Sequence, residues 1–505
     1  MNPSPTSLDL ARGSVSAGRY WFALSLVVIA AIALRLQGLD RTLTVDEAWT
    51  VSQAAASDFW TTTRNDVHPP LYYYLVRLGQ HLTTSFTGLR LSSVGCGLGL
   101  LVLAVLAFRK TPVAALVTGA AIAGLPGLVL YSQQLRPYSL LLLLLAVALV
   151  LAVRIRQGAA GPGFRILLGL VLAVAAAIHL ITVFFLVALA PLLFWPVRAG
   201  HPRQWFAALL PLAPPGLLAL WLKFQFITPP GTLAGGWWMS VDTAAVFGAL
   251  GEVVGWNEMS WLADAWSRHA PGNGWPVLAG ALATAFVAIG TAWGHRSNHP
   301  LVWPLLVTAA IYTAGVIAYS CLFEHIIMMR TLLPGLLPFL ASLALGIGSH
   351  PVAWRRAVAA AAVVIYVALA ATPLSRRATV PDAGLRGLAA TTTAACRPGD
   401  LLVVFRAMDY SLAVYDCPPA GTKILLFDQT APAAPQLAGL RRRLAGLDPR
   451  RRVLVVYRDD YYLQQFRGVF DEAVAEISRH GWKPGPGSWQ EADLGLIVAG
   501  PAVAP

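Results

Sequence analysis

Long apolar runs recur along this chain, and the breaks between them are short and carry arginine or lysine. An apolar helix of about 20 residues crosses a bilayer core. A chain that repeats such runs has little soluble interior in which to hide them. Charged residues make up only 12% of the sequence and apolar ones 57%, against about 25% charged in ordinary soluble domains. The chain therefore reads as a polytopic α-helical membrane protein. Its formal charge of +13 does not point to nucleic acid. Much of it falls in the short breaks, at Arg109-Lys110, Arg154, Arg156, Arg165, Arg198, Arg203 and Arg355-Arg356, as the positive-inside bias of cytoplasmic turns predicts.

With those breaks as cytoplasmic markers, about eleven transmembrane helices are expected. They fall near residues 21–36, 89–108, 111–129, 138–153, 166–178, 180–196, 205–222, 276–293, 301–322, 331–348 and 357–373. The two short runs 166–178 and 180–196 read either as separate spans or as one bent pair around His179. Residues 1–20, with Arg12 and Arg19, lack a small-residue cleavage site, so the first span reads as retained. The odd count places the N-terminus inside and the C-terminus outside. Four segments then face outward: the loop 37–88, the turn Tyr131–Tyr138, the loop 223–275 and the stretch Glu324–Arg330. The third holds Trp237, Trp238, Trp256, Trp261, Trp266 and Trp275, which suit either an interfacial aromatic belt or a lid or sugar platform.

From about residue 375 the composition changes. Leu401–Phe405 and Val453–Tyr457 read as buried strands, 461–480 has a helical apolar period, and Leu494–Ala499 reads as a last strand. Residues 1–374 thus form a transmembrane domain, and 375–505 a soluble α/β domain of roughly 130 residues on the outer face. No glycine-rich phosphate loop opens the latter. Cys396 and Cys417 flank its first strand, and in an oxidising compartment they are expected to form a disulfide. Cys96 and Cys321 fall in apolar runs and read as small core residues. No cysteine or histidine spacing indicates zinc.

The residues able to carry chemistry gather on the outward segments. Thr44-Val-Asp46-Glu47 fits a capping box, with Thr44 as N-cap. That gives Glu47 a structural use and leaves Asp46, in the first helical turn, as the better catalytic candidate. Farther along, Asp66-Val-His68-Pro69-Pro70 disfavours helix before each proline and would hold Asp66 and His68 rigidly ahead of a tyrosine-rich helix. Arg136, in Gln133-Gln134-Leu-Arg136-Pro137-Tyr138, and Arg330, in Arg330-Thr-Leu-Leu-Pro334, each sit where an apolar run begins. Each suits either an interfacial anchor or a bidentate clamp on phosphate. Acids on one loop and arginines on two others fit a reaction whose leaving group is phosphate.

These stretches resemble the C-type glycosyltransferases: Asp46-Glu47, then Asp66-Val-His68-Pro69-Pro70-Leu71, Ser132-Gln133-Gln134-Leu-Arg136-Pro137-Tyr138-Ser139 and Arg330-Thr-Leu-Leu-Pro334. The likeness is to the protein-mannosyltransferase-like group, which is also similar to the aminoarabinose transferases of lipid A, and it covers roughly residues 20–350. It implies transfer of a sugar from a polyprenyl-phosphate donor to a protein, lipid or glycan acceptor at the exterior or periplasmic face of a cell (inner) membrane. The implied catalytic residues are Asp46 as base, with Glu47 and Asp66. His68, Arg136, Tyr138 and Arg330 are the implied donor-phosphate residues. No cofactor is required by the residues, and a divalent metal is compatible with the resemblance. A transporter or flippase for polyprenyl-linked sugars, and a scaffold displaying the C-terminal domain, are the rival readings. A transporter favours broken helices and charges near the midplane.

Overall fold

The computed structural model describes residues 17–64, 66, 68–158, 161–194, 209–226, 243–254, 299–323, 326–377, 384–405, 408–427, 432–458, 461–485, 488–491 and 494–501. Helix α1 (Ala17–Leu36) leads into three short helices of the first loop, α2 (Val45–Ala55), α3 (Phe59–Arg64) and α4 (Leu71–Gln80). The bundle continues with α5 (Phe86–Ala107), α6 (Pro112–Gly124), α7 (Pro126–Ser132), α8 (Tyr138–Arg156), α9 (Pro162–Ile178) and α10 (Thr182–Phe194). After these come α11 (Ala213–Phe226), α12 (Thr243–Val254), α13 (Val302–Leu322), α14 (Met329–Gly348) and α15 (Ala353–Arg377).

This is a multi-pass membrane protein. Among the described residues α1, α5, α8, α13 and α14 are each long and apolar enough to cross a bilayer, and α6 with α7 makes a sixth if that bent pair is one span. α1 shows why the surface is lipid-facing. It is apolar all round, yet only Leu24, Ala31 and Arg35 are buried, while Trp21, Phe22 and Ile29 project outward. α14 is the centre of the bundle and is buried along nearly its whole length. Helices coincide with each expected span except 276–293, which lies outside the described residues, as do the six tryptophans of the loop 223–275, Glu324 and His325. One reading changes in detail: residues 243–254 of that loop are helical. The runs on either side of His179 form α9 and α10.

The expected span 111–129 is broken. α6 and α7 meet at Leu125 with a bend of 59°. Pro126 has no N–H, so the carbonyl of Ile122 loses its helical partner. Arg35 replaces it from inside the bundle: Nη2 donates to Ile122 O at 2.6 Å, and Nη1 to Ala123 O at 3.1 Å. The end of α1 is closed from the same side. Gln133 Nε2 donates to Leu34 O at 2.6 Å and to Gln37 O at 2.9 Å, satisfying carbonyls that a helix end leaves orphaned. Gly38, with φ of +69°, then turns the chain out of α1, a conformation that favours glycine.

The C-terminal domain contains α16 (Gly384–Ala395), β1 (Leu401–Phe405), α17 (Asp409–Ala413), β2 (Lys423–Phe427), α18 (Ala433–Ala445), β3 (Val453–Arg458), α19 (Tyr461–Arg479), β4 (Trp482–Pro484), β5 (Trp489–Glu491) and β6 (Leu494–Pro501). The sheet order is β2-β1-β3-β6-β4, with β5 also on β6. β1 runs parallel to β2 and β3, and β6 is antiparallel to β3. β1 is buried throughout because its two faces serve two cores. Leu401, Val403 and Phe405 pack with Leu440 of α18 and Phe470 of α19. Leu402 and Val404 pack with Leu388 of α16 and Leu412 of α17, in a core continuous with that of the bundle. The expected Cys396–Cys417 disulfide is absent: both are free, buried thiols. Burial, with Cys417 and Asp400 nearby, pushes the Cys396 thiol up to about 12, and burial also raises Cys417. In this core they act as small apolar side chains, with little of the thiolate that exchange requires.

The α6–α7 break gives a test of folding. Arg35→Leu puts an apolar side chain at the site and leaves the carbonyls of Ile122 and Ala123 without their side-chain donor, each costing about 1–3 kcal/mol. The detergent-solubilised variant is expected to melt well below the wild type. An unchanged melting temperature would mean that the break does not need Arg35.

Candidate active site

Thr44 caps α2 as its sequence promises. Its Oγ1 accepts from Glu47 N at 3.2 Å, and its own N donates to Glu47 Oε2 at 3.0 Å. The capping box points Glu47 inward, where it is fully buried against Arg90 of α5. The pair is bidentate, with Arg90 Nε to Oε1 and Nη2 to Oε2 both at 2.8 Å. Leu135 N, from the turn after α7, also donates to Oε1 at 2.8 Å. Burial pushes the Glu47 carboxyl up, but Arg90 and the donors from Thr44 and Leu135 outweigh it and hold the group below the ordinary range.

Asp46, one residue earlier, points the other way. Its side chain is 48% exposed, and its Oδ2 accepts from Arg330 Nη1 at 2.7 Å, with Arg136 Nη2 at 3.8 Å. Asp46, for which the capping box provides no use, thus has ion-pair partners on two other segments. Arg136 is almost wholly buried and holds the loop from beneath. Its Nη1 donates to Asp46 O and to Thr50 Oγ1, both at 3.0 Å. Its Nη2 meets His68 Nε2 at 3.1 Å. Since arginine only donates, His68 Nε2 accepts, and the imidazole proton sits on Nδ1, which is buried without a hydrogen-bond partner. Arg136 Nε is likewise without one. Burial, with His179, Arg136 and Arg330 around it, keeps His68 well below its ordinary value and hence neutral.

Asp66 supports His68. Its Oδ1 accepts from His68 N at 3.1 Å, its Oδ2 from Trp49 Nε1 at 2.7 Å, and the residue is buried. Burial lifts its pKa, and these hydrogen bonds only partly oppose that. Tyr138 is the aromatic floor. The guanidinium carbons of Arg136 and Arg330 lie 6.0 and 5.9 Å from its ring centroid, a cation–π arrangement. All seven residues singled out by sequence thus lie in one neighbourhood, Glu47 and Asp66 in its walls. Only Asp46 among the three acids is open to a ligand.

Three participants escaped sequence reasoning. Arg90 carried a signal, since an arginine in the first turn of an apolar span requires a partner. His179, whose ring lies 4.7 Å from that of His68 and 5.4 Å from that of Tyr138, was visible only as a break between runs. Tyr415 carried none. From the C-terminal domain its hydroxyl meets Thr42 Oγ1 at 2.9 Å and accepts from Leu43 N at 2.8 Å. Among the described residues no group of three metal-ligating side chains stands together. The acids do not fit a divalent ion, because Asp46 faces two guanidiniums and Glu47 and Asp66 are consumed by internal donors.

No protein-family model matches the sequence, and no curated protein matches it. The fold is similar to that of ArnT from Cupriavidus metallidurans in the apo state, with a TM-score of 0.59 at 14% identity, over 96% of this chain and 98% of that one. The chain shares that fold over nearly its whole length. ArnT bound to undecaprenyl phosphate is also similar, with a TM-score of 0.47, 14% identity and the same coverage. So is the Archaeoglobus fulgidus oligosaccharyltransferase in complex with Zn and sulfate, with a TM-score of 0.47 and 11% identity, over 95% of this chain and 73% of that one. On this fold, Asp46, Arg136 and Arg330 sit together at the ends of helices rather than in mid-span.

The split between the two adjacent acids is testable. Glu47→Gln leaves Arg90 buried without its counter-charge, a change that costs about 3–5 kcal/mol in other proteins, so folded yield and melting temperature should both drop. Asp46→Asn, at a half-exposed position, should leave both near wild type. Because Glu47 titrates below the ordinary range, its contribution is complete at neutral pH and is lost as pH falls through that lowered value. The wild type should therefore lose stability on acidification more steeply than Glu47→Gln. Equal slopes would show that the pair does not couple folding to pH.

Proposed function

We propose that this protein moves a sugar from a polyprenyl-phosphate donor to an acceptor hydroxyl at the outer face of the membrane, with inversion at the anomeric carbon. The observation that carries the reading is one exposed carboxylate, Asp46, within 2.7 and 3.8 Å of the guanidiniums of Arg330 and Arg136. The basic breaks support the orientation. Arg109-Lys110 follows α5, while Arg154 and Arg156 end α8, at the opposite ends of helices that begin at the site. By the positive-inside bias those ends are cytoplasmic, and the site faces outward. Residues 375–505 then form an outer domain resting on the loop, and 1–374 the membrane-embedded transferase.

The chemistry follows from the arrangement. Guanidinium forks match phosphate, so the donor phosphate competes with Asp46 for Arg330 and draws on Arg136, its unspent Nε and the His68 Nδ1–H. Asp46, released from part of its ion pair, accepts the proton of the acceptor hydroxyl as that oxygen bonds to the anomeric carbon. The bond from that carbon to the phosphate oxygen breaks with its electron pair remaining on the phosphate, where the arginines stabilise the developing charge. One carboxylate is sufficient because the leaving group needs no protonation, unlike in glycosidases. Glu47 and Asp66 are positioning residues in this scheme, acting through Asp46 and His68. Transport is less well supported, because the ionisable cluster sits at helix ends and not at a midplane route.

Asp46→Asn removes the proton acceptor with little change of shape. Turnover with a polyprenyl-phosphate sugar should fall at least about a hundredfold, while folding and donor binding persist. Near-normal turnover of this variant would remove Asp46 as base. Arg330→Lys keeps the charge and loses the fork, and should weaken donor use roughly ten- to a hundredfold; an unchanged rate and affinity would reduce Arg330 to an anchor. For orientation, cysteines introduced at the exposed positions Asp58 and Arg442, in a Cys321→Ser background, should both react with an impermeant maleimide in intact cells. Labelling that required permeabilisation would deny the site its compartment.

A further inference from the structure

α5, α8 and α14 all begin at the candidate active site, where Arg90, Tyr138 and Arg330 lie at or near their starts. At about 1.5 Å per residue, their far ends are roughly 30 Å away. Between those ends and the starts of α6 and α13 lies a cavity of about 240 Å³. Its walls are aliphatic, with Leu103, Leu149, Leu305, Leu337 and Leu340 among them. Its rim carries Arg109, Lys110 and Arg154, all exposed, and among the described residues no carboxylate lines it.

A further observation bears on what fills this space. Thr118, on the cavity wall, is only 5% exposed, and its Oγ1 has no hydrogen-bond partner. A helical threonine ordinarily bonds the carbonyl one turn back, as Thr308 does to Pro304 O at 2.8 Å. A buried hydroxyl left unpaired is costly. Thr118 lies seven residues into the bundle from Thr111 on the rim, about 10 Å along the helix. The cavity thus combines a cationic mouth, an orphaned hydroxyl partway in and leucine walls. Free phosphate suits the mouth but leaves the apolar walls empty. Water suits the hydroxyl but not the walls.

We propose that this cavity binds an anionic glycerophospholipid of the leaflet opposite the active site. The phosphate sits among Arg109, Lys110 and Arg154, an ester carbonyl accepts from Thr118 Oγ1, and an acyl chain lies along the leucines. The proposal is independent of the glycosyltransferase reading, since none of these residues belongs to the site of Asp46.

Native mass spectrometry of the purified full-length protein with phosphatidylglycerol and phosphatidylcholine tests it. The wild type should retain one phosphatidylglycerol in preference to phosphatidylcholine. Arg109→Gln, Lys110→Gln and Arg154→Gln each remove about fivefold in that preference, and together should abolish it while the protein still folds, because all three are exposed. Ala104→Phe, which fills the cavity from its wall, should reduce retention of either lipid with the rim intact. Equal retention of the two lipids by the wild type, or a preference unchanged in the triple variant, would overturn the proposal. So would loss of the bound lipid to millimolar inorganic phosphate, which would make the rim a site for the free anion.

Discussion

The buried pair of Glu47 and Arg90 is the contact on which the rest of the site depends. An arginine at the start of a membrane helix cannot be left without counter-charge, and Arg90 spends its whole guanidinium on one loop. Besides Glu47, it donates to the carbonyls of Leu39, Arg41 and Thr42 at 2.7–2.9 Å. One side chain of α5 thereby fixes the course of residues 39–47. Leu135 N completes Glu47 from a third segment, which brings the turn carrying Arg136 to the same place. Asp46 owes its position to this: its neighbour is anchored, so its own side chain must emerge at the mouth.

The C-terminal domain presses on the same loop from the other side. Tyr415 binds Thr42 and Leu43 through one hydroxyl. Arg386 N donates to Thr42 Oγ1 at 2.9 Å, and its side chain reaches Asp40 O at 3.2 Å. The edge-to-face contact of Tyr415 with Phe86, at 5.8 Å, ties that residue to the first turn of α5 as well. The apolar core runs without interruption from the bundle into one face of the sheet. Residues 40–47 are held between a membrane helix and a soluble domain, the kind of support that keeps reacting groups in place at small cost when substrate arrives.

Much of this was legible in the sequence because its causes are local. Apolar runs of about 20 residues have little choice but to span, and Thr44 with Glu47 three residues later is a local hydrogen-bonding unit. Three strands of the C-terminal domain, β1, β3 and β6, showed themselves as short apolar runs rich in valine or leucine, whereas β2, β4 and β5 did not. What sequence could not show is pairing at a distance. Nothing along the chain links Arg330 to Asp46, or Tyr415 to Thr42, because those contacts are set by how helices pack. The disulfide failed for a related reason. Flanking one strand brought Cys396 and Cys417 into the same core, but a buried thiol is as well satisfied by packing as by a bond. The break at Leu125 was foreseeable from Pro126; the arginine that repairs it comes from another helix.

Two adjacent carboxylates could serve as a catalytic pair, but the fold turns them to opposite sides. On a helix, consecutive side chains diverge by about 100°, so if one faces the interior the next cannot. Glu47 has the longer arm and the capping partner, and it takes the inward position, where Arg90 and the donors from Thr44 and Leu135 keep it ionised against the pull of burial. Asp46 takes the outward one beside two arginines that need an anion. In the proposed reaction this makes the resting ion pair with Arg330 a placeholder. It satisfies the arginine while the donor is absent and gives way when a phosphate, with more oxygens to offer the fork, enters. The carboxylate is then freed at the moment a base is needed. The inward acid holds the geometry in which the outward one can be exchanged.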